Sequence, residues 1–231
     1  GSDSLTLTGG VATSDTYSVG PNPGQGTSTI VIGGVTQLVT FQNIEPVVDL
    51  VAGPLVVNAT PADNAINFAA NVITIDNFES IAIGNKTDVT INAGSGSDTI
   101  NVNGPAGLSG VVNVNGGNPT ASDTVIVNGT SGADTVTIDL LTLDGARIVV
   151  GAGPTINIAT AEHLIYSGQG GNDTINYTTP GGTLIEYTPG VNVTEARLDS
   201  REAAGGSLLP VSYVDVAVGG TLVIATASGS P

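Results

Sequence analysis

The residues best placed for chemistry are aspartates that recur in one setting: a turn rich in Gly and Ser, an acid, then a short apolar strand. The segments are "TPADNAINF" (60–68), "GSGSDTINV" (94–102), "TASDTVIVNG" (120–129), "SGADTVTID" (131–139) and "GGNDTINY" (170–177). Asp63, Asp98, Asp134 and Asp173 follow one another at 35, 36 and 39 residues, with Asp123 breaking the interval. Repeated carboxylates beside Gly-rich turns suit a hard cation, and Asp98, Asp123, Asp134 and Asp173 are the candidate Ca2+ ligands. Calcium takes roughly six to eight oxygens, so neighbouring turns would have to complete each site. The same aspartates can instead accept hydrogen bonds from nearby amides and build turns without a metal.

Other chemistry has thinner support. His163 is the one histidine, and with no Cys or second His it offers no zinc set. No Ser partner for it is evident, and neither a phosphate-binding loop nor a nucleophile elbow is present. A glycosidase would need two acids held several ångströms apart; Asp98 and Asp134 are the pair that stacking would bring together. Nothing in the sequence separates an acid from a base there, so a noncatalytic chain is expected. Aromatic platforms for neutral sugars are limited to Tyr166, Tyr177 and Tyr187, and loops such as 103–121 are the better candidates for glycan contact.

Composition narrows the partners. Twenty acids against Lys86, Arg147, Arg197 and Arg201 give a net charge of −16, which disfavours nucleic acid and anionic membrane surfaces and favours cations. No apolar run reaches the roughly 20 residues of a membrane span. The opening Gly-Ser and the absence of Met point to an excised fragment of a longer protein.

These acids need elements to hold them. Of the 231 residues 40% are apolar, mostly Val, Ile, Leu and Ala, and 33 Gly with many Asn, Asp, Thr and Ser punctuate the apolar runs. After each acid comes strict alternation, as in Ile66 and Phe68, Ile100 and Val102, Val125 and Val127, Val136 and Ile138, Ile175 and Tyr177; this is the period of a half-buried strand. Further strands are expected at 28–32, 37–41, 53–58, 71–75, 88–92, 110–114, 146–150, 155–159, 183–187, 211–216 and 221–225. A second repeat superposes Phe41, Ile75, Ile158 and Tyr213, with Glu45, Glu79 and Glu162 in step. Recurrence at such intervals predicts an all-β chain wound as a parallel β-helix, or β-solenoid, in which like residues stack; a tandem β-sandwich is the alternative. The repetitive domain covers 1–190. Residues 191–231 form a less regular segment, with a helix, linker or protruding loop expected near 193–208. Bare terminal strands would permit end-to-end self-association.

The stretches "FQNIEPVVDLVAGPLVVNATPADNAINF" (41–68), "NVITIDNFESIAIGNKTDVTINAGSGSDTINVNG" (71–104), "ASDTVIVNGTSGADTVTI" (121–138) and "AEHLIYSGQGGNDTINY" (161–177) resemble the β-strand-repeat regions of very large bacterial secreted or cell-surface proteins, particularly planctomycete ones. "GQGGNDTINY" (168–177) is also similar to one unit of calcium-binding nonapeptide repeats, although such units do not follow one another here. The resemblance implies an extracellular or cell-surface setting and a structural or adhesive scaffold, with a cell-surface, matrix or glycan partner. A calcium-stabilised adhesion module and a β-helical polysaccharide-active enzyme are the alternative functions.

Overall fold

The computed structural model describes residues 3–104, 108, 110–118, 122–202 and 205–226. Those residues form an all-β chain, without helix, of 22 strands in two open, mixed sheets of 11 strands each. The first sheet contains, in spatial order, β1 (Leu5–Leu7), β5 (Val47–Asp49), β9 (Ile81–Ile83), β8 (Val72–Ile75), β7 (Ala65–Ala69), β11 (Thr99–Asn103), β13 (Thr124–Asn128), β17 (His163–Ser167), β21 (Val211–Val214), β20 (Ala196–Arg201) and β19 (Leu184–Pro189). The second runs β22 (Thr221–Thr226), β18 (Thr174–Thr179), β14 (Thr135–Thr142), β15 (Gly145–Val150), β16 (Thr155–Ala159), β12 (Val111–Gly117), β10 (Lys86–Gly94), β6 (Gly53–Asn58), β2 (Ser14–Val19), β3 (Gln25–Ile32) and β4 (Val35–Gln42).

From β10 to β14 the chain changes sheet at every strand, so each strand pairs in parallel with one laid down a full circuit earlier or later. Antiparallel meanders interrupt the circuit at β2–β3–β4, β7–β8–β9, β14–β15–β16 and β19–β20–β21. Register then turns the period-two pattern into rows. Ile66, Ile100, Val125, Leu164 and Val211 line up across five strands of the first sheet, and Phe68, Val102, Val127, Tyr166 and Tyr213 form the next row. Leu55, Val89, Val112 and Ile156 do the same in the second sheet. Inward residues of both sheets belong to one buried cluster extending from Leu7 to Val216. Each fully buried aliphatic side chain contributes roughly 1.5–3 kcal/mol, so the core gains its strength from many thin layers.

The outward rows are polar and equally regular. Asn115 Nδ2 donates to Asn92 Oδ1 (2.7 Å), Asn92 Nδ2 to Asn58 Oδ1 (2.8 Å), and Asn58 Nδ2 to Ser18 Oγ (3.0 Å). Such amide ladders need parallel, in-register strands, because only then do identical side chains sit one strand apart.

All eleven further strands expected from the sequence fall on or across strands. β1, β2, β5, β9 and β17 fall outside the expected segments, and three further readings change. The stretch 193–208 contains β20, which completes an antiparallel meander with β19 and β21 in place of a helix or free loop. The stretch 103–121, read as a loop open to glycans, contains β12, the strand expected at 110–114; its residues 105–107, 109 and 119–121 lie outside the described residues. Phe41 and Ile158 belong to the second sheet and Ile75 and Tyr213 to the first, so their alignment in sequence is not a row in space. Among the described residues no helix is long and apolar enough to cross a membrane.

Candidate functional site

The turns leading into the first sheet place Asn64, Asp98, Asp123 and Glu162 side by side, each immediately before the paired residues of β7, β11, β13 and β17. Every acid in this row serves the previous circuit. Asp98 Oδ1 accepts the Asn64 N–H (2.8 Å), Asp123 Oδ1 accepts the Asp98 N–H (2.8 Å), and Glu162 Oε2 accepts the Asp123 N–H (2.6 Å). The backbone closes the same link, since Thr99 and Thr124 N–H donate to Asn64 and Asp98 carbonyls at 2.9 and 2.8 Å. Charge-assisted bonds of this type are roughly twice as strong as neutral ones. Turns that would otherwise leave amides unpaired are thereby sealed.

A second row stands at the other corner, before the second sheet. Asp173 Oδ1 accepts the Asp134 N–H (2.9 Å) and Asp173 Oδ2 accepts the Tyr166 O–H (3.0 Å). Asp134 Oδ2 folds back on its own turn to the Thr130 N–H (2.6 Å) and hydroxyl (3.0 Å). The four candidate ligands therefore fall into two pairs, Asp98 with Asp123 and Asp134 with Asp173, and do not converge on one centre. Their regular spacing in sequence crosses from one corner to the other. Asp63 lies one residue off the row, and its carboxylate takes the Ser97 N–H (2.8 Å).

The two rows differ in how their oxygens are used. Both carboxylate oxygens of Asp173 are engaged. Asp98 Oδ2 and Asp123 Oδ2 are buried without a hydrogen-bond partner, on residues of 0% exposure. Burial drives Asp98 up to about 6; the Asn64 N–H opposes the shift, and the Asp123 charge adds to it. Asp123 is raised by burial as well, against the pull of the Asp98 N–H. Gly116 makes room for this carboxylate: a Cβ there would lie 2.7 Å from Asp123 Oδ2 and overlap the Thr160 carbonyl oxygen. Groups so enclosed cannot touch a glycosidic bond. Among the described residues no three His, Cys, Asp or Glu are grouped to hold a metal ion.

Two further polar clusters were hidden in the sequence. Lys86 Nζ is buried, donates to Asp15 Oδ2 (2.7 Å) and the Val51 carbonyl (2.8 Å), and forms an ion pair with Asp49 Oδ1 at 2.8 Å. Two carboxylates share one ammonium, and burial raises Asp15 to about 6 even though Lys86 pulls the other way. The partners lie 71 and 37 residues from Lys86, and only the stacking of β2, β5 and β10 makes them neighbours. His163 likewise finds the Ser partner that its flanking residues do not reveal, with Nε2 2.9 Å from Ser212 Oγ on the adjacent strand. Burial and then Arg197 hold the imidazole below its usual range. Asp199, which could have served as a third member, is forked by the Arg197 guanidinium at 2.8–3.0 Å. Among the described residues no carboxylate hydrogen-bonds the His163 ring.

Tyr166 and Tyr177 are 0% exposed and belong to the core, so of the three candidate sugar platforms only Tyr187, half exposed, reaches the surface. A surface cavity of about 600 Å³ lies beside β19 and β20, lined by Leu184, Glu186, Arg197, Arg201, Leu208 and Pro210; none of the four candidate ligands reaches it.

Comparison with protein-family models finds no match, and searches among curated proteins and among solved structures find none.

Proposed function

We propose that this chain is a noncatalytic segment of a β-solenoid scaffold, structural or adhesive, in a large extracellular or cell-surface bacterial protein. The observation that carries this reading is the in-register repetition of three kinds of row on successive parallel strands: apolar inside, asparagine outside, acid at the corner. Its carboxylates bond to amides of the preceding circuit and thereby copy one turn onto the next. Such a design extends by adding circuits, and its function lies in length and surface. Small-angle scattering tests it. A rod-like profile, with a cross-section that stays constant as circuits are added, is expected; a profile of a near-spherical particle overturns the scaffold reading. Adhesion would add saturable binding to cells or a glycan panel at one localised patch.

A calcium-stabilised adhesion module is the second reading, favoured by the unpartnered Oδ2 atoms of Asp98 and Asp123. These two carboxylates could supply part of the oxygen set, with backbone carbonyls and water making up the rest. Calcium binding only the folded chain would raise its melting temperature with concentration. Equal melting in chelator and in millimolar calcium rejects this reading and leaves the scaffold intact.

A further inference from the structure

Exposed apolar side chains are distributed unevenly. Between residues 51 and 140 no large one is exposed among the described residues; Val35 and Leu38 on β4 and Val223 and Ile224 on β22 are open, as are Leu141 and Leu143 at the β14–β15 turn, Leu184 on β19, and Val191, Val193 and Val218 in turns. β4 and β22 are the two outermost strands of the second sheet, and each is paired on one side. Free edges of this kind expose unpaired amides and carbonyls, and isolated proteins usually blunt them with charge or proline. In the first sheet one outer strand, β19, is blunted in this way by Glu186 and Pro189, while the other, β1 ("LTL"), is only three residues long. β4 ("VTQLVTFQ") and β22 ("TLVIAT") carry neither.

Charge follows the same division. In a chain of net charge −16, no charged residue lies between Asp15 and Glu45, and none lies within residues 216–226, which include β22. The two outermost strands of the second sheet can therefore meet without bringing carboxylates of their own together.

Direction completes the case. β4 is antiparallel to β3, which is antiparallel to β2, so β4 runs parallel to β2 and hence to β6, β10, β12 and β16. Two further reversals through β15 bring β14, β18 and β22 into that same direction. Thus β4 and β22 point the same way at opposite ends of one sheet. A second copy displaced along the stack would set its β4 parallel to β22 of the first, repeating the pairing inside the sheet. Leu222 and Ile224, which extend the rows of Ile175 and Tyr177, would then face Val39 and Phe41, and the core would run on between copies.

We infer that copies of this chain join head to tail through the β22 and β4 edges. The contact uses two different surfaces, so it does not close into a dimer and adds copies without limit. This inference concerns the 231-residue chain by itself and rests on the order, direction and uncharged sequence of the outer strands of its second sheet.

Sedimentation velocity across protein concentration and ionic strength tests it. The expected result is a series of species growing with concentration, promoted by salt because the remaining acids repel. Thr40→Glu and Val223→Glu, on exposed positions of the two edges, should each give monomers that melt at the temperature of the wild-type chain diluted to its monomeric state. If Val223→Glu melts lower, Ala225→Glu on the same edge replaces it. Mixing the two blocked variants should restore a dimer and nothing larger, because each keeps one intact edge. A wild-type chain that stays monomeric throughout, a single variant that still associates, or a mixture that remains monomeric overturns the proposal.

Discussion

Asp98 holds two opposed roles in a few ångströms. One oxygen closes the Asn64 turn at 2.8 Å, while the other is buried with no partner. Its folded pKa, about 6, lies above the ordinary value of 3.8, so proton binding favours the folded state. The resulting stability is fully present below about pH 4 and is lost as pH rises through about 6, because ionisation then has to occur inside the protein. At neutral pH the lost contribution is up to ~3 kcal/mol. Asp98→Asn keeps an oxygen for the Asn64 N–H and removes the buried charge. Urea unfolding of this variant at about pH 7.5 should show a gain of about 1–3 kcal/mol, and the pH slope between about 4 and 7 should flatten. If calcium occupied the pair, the same variant would lose stability in calcium.

At the scale of elements, Lys86 is the clamp for the early circuits. It joins β10 to Asp15 on β2, Asp49 on β5 and the Val51 carbonyl, so one side chain sets the relation of three strands. Lys86→Met would leave two buried carboxylates facing each other without their cation. Breaking one member of such a set costs about 3–5 kcal/mol. Chemical denaturation at about pH 7.5 should show that loss, and a smaller one at about pH 5, where Asp15 can take up a proton. The asparagine ladder is the milder counterpart. Asn92→Ala removes its bonds to Asn58 and Asn115, and a loss of about 1–2 kcal/mol is expected in the same assay.

For the whole molecule the governing quantities are the net charge of −16 and the open ends of the second sheet. Self-repulsion opposes a compact chain and is screened by salt. The melting temperature of the Thr40→Glu variant, which should not associate, is expected to rise between low and about 0.5 M salt, in chelator as well as without it. A flat response would mean that the acids are spaced so widely that their mutual repulsion is negligible. Uncharged edges concentrate attraction at the two ends of a molecule whose flanks repel one another, and the assembly predicted above follows from that contrast.

Much was legible from the sequence because the relevant signals are local. Alternation at Ile100 and Val102, or at Val125 and Val127, states which side chains face inward, and Gly-Ser-Asp turns state where the chain bends; both depend on a few adjacent residues. The 35-residue spacing of the acids also signalled repetition, yet it did not identify the neighbours. Circuits of 34, 25 and 39 residues, made unequal by inserted meanders, place Asp123 beside Asp98 and move Asp134 to another corner. β2 and β20 were obscured by their Asp, Ser and Arg content, and the Lys86 cluster and the His163–Ser212 contact depend on pairings between distant segments. Composition and periodicity therefore determined that the chain is built from half-buried strands joined by acidic turns. Which strands lie together, and so which charges share a proton, a cation or an amide, was decided by tertiary stacking, because parallel pairing joins residues through space at intervals that the sequence does not mark.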